Sequence, residues 1–162
     1  MAFNFDGLSV ERLTVTMRFL FLVVCLFGFG PSLAQAADHC IDVQSKQGWQ
    51  RLSLPNGKIR KVSYRGGWSV IAGTFKPVGP RGYSGQDAAK LGPLYGYKFD
   101  QSYAFGELLV RDQAGRIVPF AEFAALAVNT PNPAGVYAFR INDKNIALWD
   151  NAGAIQVCIS MR

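Results

Sequence analysis

Histidine occurs once in the 162 residues, at His39, cysteine occurs three times, and charged side chains make up only 17% of the chain. Zinc centres built on histidine and cysteine, and nucleophilic sets that pair a serine or cysteine with a histidine, have little to draw on here. Glutamate is equally scarce: beyond residue 36 only Glu107 and Glu122 remain. The low charge and the scattered 17 Gly and 8 Pro exclude a coiled coil, a long helical repeat and a disordered low-complexity chain. With 49% hydrophobic and 13% aromatic residues, the composition is that of one compact, β-rich domain.

Residues 19–30 form an apolar stretch of twelve, short of the roughly 20 that a membrane-spanning helix takes. Arg18 precedes the stretch, and Pro31, Ser32 and the small-residue site Ala34-Gln35-Ala36 follow it. This order predicts a secretory signal peptide over residues 1–36, with no stable membrane insertion after cleavage. A start at Met17 makes residues 1–16 an upstream extension, and residues 37–162 are left as a single domain. Cys25 lies within the apolar stretch after Val24, not after the small residue a lipidation site takes. That leaves Cys40 and Cys158, which are expected to pair in an oxidising compartment, secreted or periplasmic.

From Gly48 onward, polar and apolar residues alternate. Trp49, Leu52 and Leu54 lead to the turn Pro55-Asn56-Gly57, and Ile59, Val62 and Tyr64 follow, which reads as a hairpin. A third short strand is expected over residues 68–72, then an aperiodic loop over residues 73–103. Regular structure resumes over residues 105–111, and Asp112-Gln113-Ala114-Gly115 turns the chain into Ile117 and Val118. Residues 120–128 are apolar throughout and fit either a buried strand or a helical turn. Two half-buried strands close the chain, with Tyr137, Phe139 and Ile141 on one face of the first and Ile155, Val157 and Ile159 on one face of the last. Cys40 and Cys158 have the parity opposite to their apolar neighbours, so they can meet on an outer face if the terminal strands pair. The expected fold is all-β, an antiparallel β-sandwich of the jelly-roll kind.

Residues 37–162 carry 15 Lys and Arg against 9 Asp and Glu, a net charge of +6. The densest basic run, Lys58, Arg60, Lys61 and Arg65, alternates between faces on a regular strand and reads as a solvated surface. An anionic surface partner stays open, whereas export and the lack of a recognition module count against nucleic acid. Oxygen donors concentrate in the loop between the last two strands, at Asp143, Asp150 and Asn151. Calcium takes six to eight oxygens, carboxamide and backbone carbonyl among them, which makes Ca²⁺ the natural candidate. The spacing is not that of an EF-hand, because the sixth position from Asp143 is Leu148 and the twelfth is Ala154. A polar turn without metal explains the same composition.

Taken in order, Gly79-Pro80-Arg81-Gly82, Gly106-Glu107-Leu108-Leu109-Val110-Arg111, Ile141-Asn142-Asp143 and Asp150-Asn151-Ala152-Gly153-Ala154-Ile155-Gln156-Val157 resemble the PA-IL-like galactophilic lectins of bacteria. The resemblance covers about residues 48–160 and is tightest in the last loop and strand. It implies a galactose-binding-domain-like sandwich in which calcium bridges protein and sugar hydroxyls. The family's ligating aspartate matches Asp143 and its paired asparagines match Asp150 and Asn151. A threonine that ligates through its carbonyl falls on Ala147, and a tyrosine doing likewise falls near Val70 or Ile71. Asp143 and Asp150 then also hold the sugar. The family's sugar-gripping histidine has no counterpart, and the loop where it belongs offers Gln86, Asp87 and Tyr83, Tyr95, Tyr97 and Tyr103.

Three function classes follow. The first is an exported calcium-dependent carbohydrate-binding domain, for galactose-type glycans or a polysaccharide, with homo-oligomers compatible. The second is a non-enzymatic periplasmic or secreted interaction module of the same fold, with calcium as a staple or no metal. Catalysis is the weakest: it would rest on a carboxylate pair such as Asp87 with Glu107 for glycosidase chemistry, and Gly82-Tyr83-Ser84-Gly85 lacks the nucleophile-elbow spacing.

Overall fold

The computed structural model describes residues 37–128 and 130–162; the expected signal peptide and its extension lie outside the described residues. The strands are β1 (Ala37–Gln44), β2 (Gln50–Leu54), β3 (Gly57–Ser69), β4 (Leu108–Arg111), β5 (Ile117–Pro119), β6 (Pro131–Asn132), β7 (Gly135–Ile141) and β8 (Ala152–Met161). They form two four-stranded antiparallel sheets, ordered β1-β8-β3-β6 and β2-β7-β4-β5. Ile59, Trp68, Ile155, Val157 and Ile159 of the first sheet and Leu54, Leu108, Val110, Phe139 and Ile141 of the second close a single buried core. The fold is an all-β antiparallel sandwich. Each strand counted from one end of the chain pairs with its equivalent from the other end: β1 with β8, β2 with β7, β3 with β6 and β4 with β5.

Several local expectations are overturned by these long-range pairings. β2 and β3 are not a hairpin, because β2 pairs with β7 while β3 pairs with β8 and β6. Asn132 Nδ2 donates to the Pro55 carbonyl and the Ala134 N–H donates to Asn56 Oδ1, so the corner is spent on the segment before β7. The chain changes sheet there. Of the separate strand expected over residues 68–72, Trp68 and Ser69 are instead the end of β3, which continues through Gly66-Gly67, and residues 70–72 turn away from the sheet. Gly66 adopts φ +88, and a Cβ there would meet the Ala154 carbonyl oxygen at 2.6 Å, a conformation only glycine adopts without strain. Within residues 73–103, a seven-residue helix α1 (Gly85–Leu91) runs into a 3₁₀ turn (Gly92–Tyr97), both too short to leave a periodic signal. The apolar run after Pro119 is helix α2 (Phe120–Ala127), whose four alanines favour helix and whose Phe120 and Phe123 reach the core. No helix among the described residues is long and apolar enough to cross a membrane.

β8 is half-buried as its alternation requires, but β7 is not, since Ala138 and Arg140 on its outer side are buried too. The basic run also departs from expectation. A register irregularity between Ile59 and Lys61 adds one residue to β3, so Lys58, beside the buried Ile59, and Lys61 and Arg65, opposite Ser160 and Gln156, all face outward. The ion pairs among the described residues, Lys90–Asp87 and Arg116–Asp112, include none of them.

Cys40 and Cys158 lie directly opposite each other in the β1–β8 register and form a disulfide with a sequence separation of 118. Such bridges belong to oxidising compartments. Closing a loop of that length restricts the unfolded chain by about 4 to 5 kcal/mol on the chain-entropy account. Replacing both cysteines with alanine should lower the unfolding free energy by up to about that amount. Urea denaturation measures it, and a loss below about 1 kcal/mol would show that the strand ladder alone holds the termini.

Candidate functional site

The loop from β7 to β8 spans from one sheet to the other, so it caps an end of the sandwich and does not close a hairpin. Its first and last residues are pulled inside: Asn142, Asp143 and Asn151 are each at most 1% exposed. Asn142 fixes the entry. Its Nδ2 donates to the carbonyls of Asp100, Tyr103 and Ala104, and its Oδ1 accepts the Asp100 N–H. A 3₁₀ turn (Leu148–Asp150) anchored by the buried Leu148 forms the exit. Beyond it, Gly153 at φ +94 approaches the Gly67 backbone where a Cβ would collide, and its carbonyl receives both the N–H and the hydroxyl of Ser45.

This framework brings three of the expected ligands together. Asn151 Nδ2 donates to Asp143 Oδ2 at 3.0 Å and to the Ser45 carbonyl at 3.1 Å. Its own Oδ1 then has no donor, and neither has Asp143 Oδ1 or Asp150 Oδ1; the remaining buried unpaired side-chain atom among the described residues is His39 Nε2. Buried acceptors are normally paired, and each unpaired one costs about 1–3 kcal/mol. Burial pushes the Asp143 carboxyl from 3.8 up to about 6, opposed by the Asn151 hydrogen bond and aided by the charge of Asp150. Burial raises Asp150 as well, against its backbone hydrogen bond and Lys46.

Asp143, Ala147 and Asp150 line one cleft of about 430 Å³ together with Val70 and Ile71, so both backbone ligands implied by the resemblance border it as well. The rest of the lining is apolar: Leu94, Tyr97, Phe105, Ile146 and Trp149. Trp149 is 76% exposed at the mouth. The donor set suits calcium, which accepts carboxamide and backbone carbonyl oxygens, and the orphaned oxygens are a fit to such an ion. No group of three or more His, Cys, Asp or Glu placed to hold a metal ion occurs among the described residues, so an ion here would need carboxamide and backbone carbonyl oxygens beside the two carboxylates.

Other candidates lie elsewhere. Gln86 is exposed on α1 and is not part of the cleft lining. Tyr83 is a core residue whose hydroxyl donates to the Lys76 carbonyl, and Tyr103 donates to the Ile117 carbonyl. Tyr95 packs under the Lys98 ammonium, so of the four tyrosines Tyr97 alone lines the cleft. Asp87 pairs with Lys90 and Glu107 accepts the Ala104 N–H, and neither borders the cleft. Trp149 was visible in sequence as an aromatic residue directly before the Asp150-Asn151 pair, but only the fold shows that it stays in solvent.

Because Asp143 titrates higher in the folded than in the unfolded chain, the metal-free protein loses stability as pH rises from about 4 to about 6. Asp143→Asn removes that loss and should stabilise the metal-free protein at pH 7 by about 2 kcal/mol. Urea melts in chelator at pH 4 and pH 7 measure it; a variant no more stable than the parent at pH 7 would show that the carboxylate is already neutralised. Compared with family models, curated proteins and solved structures, the chain matches none.

Proposed function

We propose that this is an exported calcium-dependent carbohydrate-binding domain of the PA-IL-like kind, wound as a jelly roll. The observation that carries the reading is the set of three buried oxygens, on Asp143, Asp150 and Asn151, that lack any donor. The end-to-end strand pairing supports the jelly-roll winding, and the disulfide supports a secreted or periplasmic setting. Asp143, Asp150 and Asn151 would hold the ion through side-chain oxygens, and Ala147 with Val70 or Ile71 through carbonyls. Bound there, calcium supplies coordination positions for two vicinal sugar hydroxyls. Asp143 and Asp150 accept the hydrogen bonds those hydroxyls donate, while Tyr97 and Trp149 offer rings to the apolar face of the sugar. Galactose-type glycans fit this scheme.

Saturating Ca²⁺ at about 100 times its Kd should raise the melting midpoint by about 10 °C, and Asp143→Asn should abolish the rise. No shift in the parent protein would overturn the metal site. The apolar cleft lining also sets a preference. A nitrophenyl glycoside should bind about tenfold tighter than the methyl glycoside by burying about 60 Å² more apolar surface. Trp149→Ala should erase that difference in a calorimetric titration, and a glycan array that reads the same with and without chelator would sink calcium-dependent binding.

A second reading is favoured by one observation, the outward row of Lys58, Lys61 and Arg65 produced by the irregularity in β3. On it, the domain is an interaction module that holds an anionic surface. Binding to a heparin column that is lost with salt, survives chelator and falls with Lys61→Glu/Arg65→Glu would favour this module over the lectin.

A further inference from the structure

The guanidinium of Arg140 is the largest buried charge outside the ligand set, and it sits on the outer side of β7, where a strand residue ordinarily meets water. It is 1% exposed. Phe99 covers it at 3.8 Å from the ring centroid and Trp49 at 5.5 Å, and these two rings meet edge to face. Arg111, on the neighbouring strand, stacks on the same Trp49 at 4.6 Å. No carboxylate forms an ion pair with Arg140 among the described residues. Burial lowers its pKa to about 10, opposed by the charge of Asp143.

A buried charge without an ionic partner is a poor way to fill space, since an apolar side chain of similar volume is usually neutral or better. What the guanidinium does instead is donate. Its Nε reaches the Ile141 carbonyl at 3.1 Å, and its Nη2 reaches both the Asp143 carbonyl and Asn145 Oδ1, the latter at 3.2 Å. Two of these acceptors belong to the turn that carries Asp143, and the third belongs to the last residue of β7, which leads into it. A planar fork with fixed N–H directions ties the main chain of Asp143 down on one side, while the Asp143 N–H donates to the Ile141 carbonyl at 2.9 Å.

We infer that Arg140, covered by the Phe99 and Trp49 rings, is a positioning residue that holds the Asp143–Asn145 turn in its calcium-binding conformation. This rests on the calcium reading above. Its sign separates it from simple electrostatics. A nearby positive charge repels a cation, so charge removal alone would tighten Ca²⁺ binding, whereas loss of the clamp loosens it.

The test is a calorimetric Ca²⁺ titration of the purified protein and three variants. Arg140→Met should raise the Kd at least tenfold. Asn145→Ala, at an exposed position where folding is not at stake, should raise it about threefold. The double variant should be no weaker than Arg140→Met alone, because both act through one clamp. Should Arg140→Met not fold, Asn145→Ala and Arg140→Lys, which keeps the charge but lacks the fork, decide the matter by weaker binding. Unchanged or tighter binding in the folded variants overturns the clamp and leaves the calcium site standing. Absence of heat in the parent protein overturns both.

Discussion

Taking Asp143 out of water without giving it a full set of donors is the constraint on which the rest of this molecule turns. Asn151 supplies one hydrogen bond, to Oδ2, and Oδ1 receives none. A buried carboxylate in that state disfavours its own charge, which is why its pKa rises to about 6. On the proposed reading, a divalent ion held by Asp143, Asp150 and Asn151 would reverse the balance, because the same low-polarity surroundings that penalise a lone carboxylate strengthen its attraction to a cation. An ordinary polar turn would keep its acidic groups in solvent or pair them with its own backbone, as Asp112 does with the N–H groups of Ala114 and Arg116.

The fold makes that burial affordable by mass of contact and by position. β7 and β8 belong to different sheets, so the connection between them crosses the end of the core and draws in segments far away in sequence. Ser45 holds Asn151 and Gly153 from the end of β1; Asp100, Tyr103 and Ala104 hold Asn142 from the loop before β4. The Ala72 N–H donates to the Asp150 carbonyl at 2.8 Å from the turn after β3. Four stretches of chain thus meet at this loop, and none of them is the sequence neighbour of another.

That distribution explains which features were legible in the linear sequence. Alternation in β1 and β8 gave the parity of Cys40 and Cys158, because side-chain direction along a strand is a local property. The donor residues were legible for the same reason, as chemistry concentrated in one loop. Partnership was not. Nothing local tells Leu54 to pair with Gly135 or Ile59 with Met161, so the Pro55-Asn56-Gly57 corner read as a hairpin although its polar groups serve residues near position 132. A single extra residue in β3 likewise moved Lys61 and Arg65 to the face of Lys58, a shift that parity alone could not anticipate. Gln86 was placed in the sugar loop by the family resemblance and sits on a helix that the aperiodic stretch concealed.

The disulfide and the oxygen cluster share two strands, and this ties the staple to the site. Cys40 and Cys158 join β1 to β8 near the middle of their ladder; at one end of it β1 runs into Ser45 and β8 begins just after Asn151. The Ser45 carbonyl accepts the Asn151 Nδ2 proton that fixes which way the carboxamide points. With that proton committed, and a second one committed to Asp143, Asn151 Oδ1 is left without a donor, and no alternative orientation of the carboxamide keeps both bonds. Ladder, staple and carboxamide form one continuous chain of restraint, so the direction of a single buried oxygen is set by the pairing of β1 with β8.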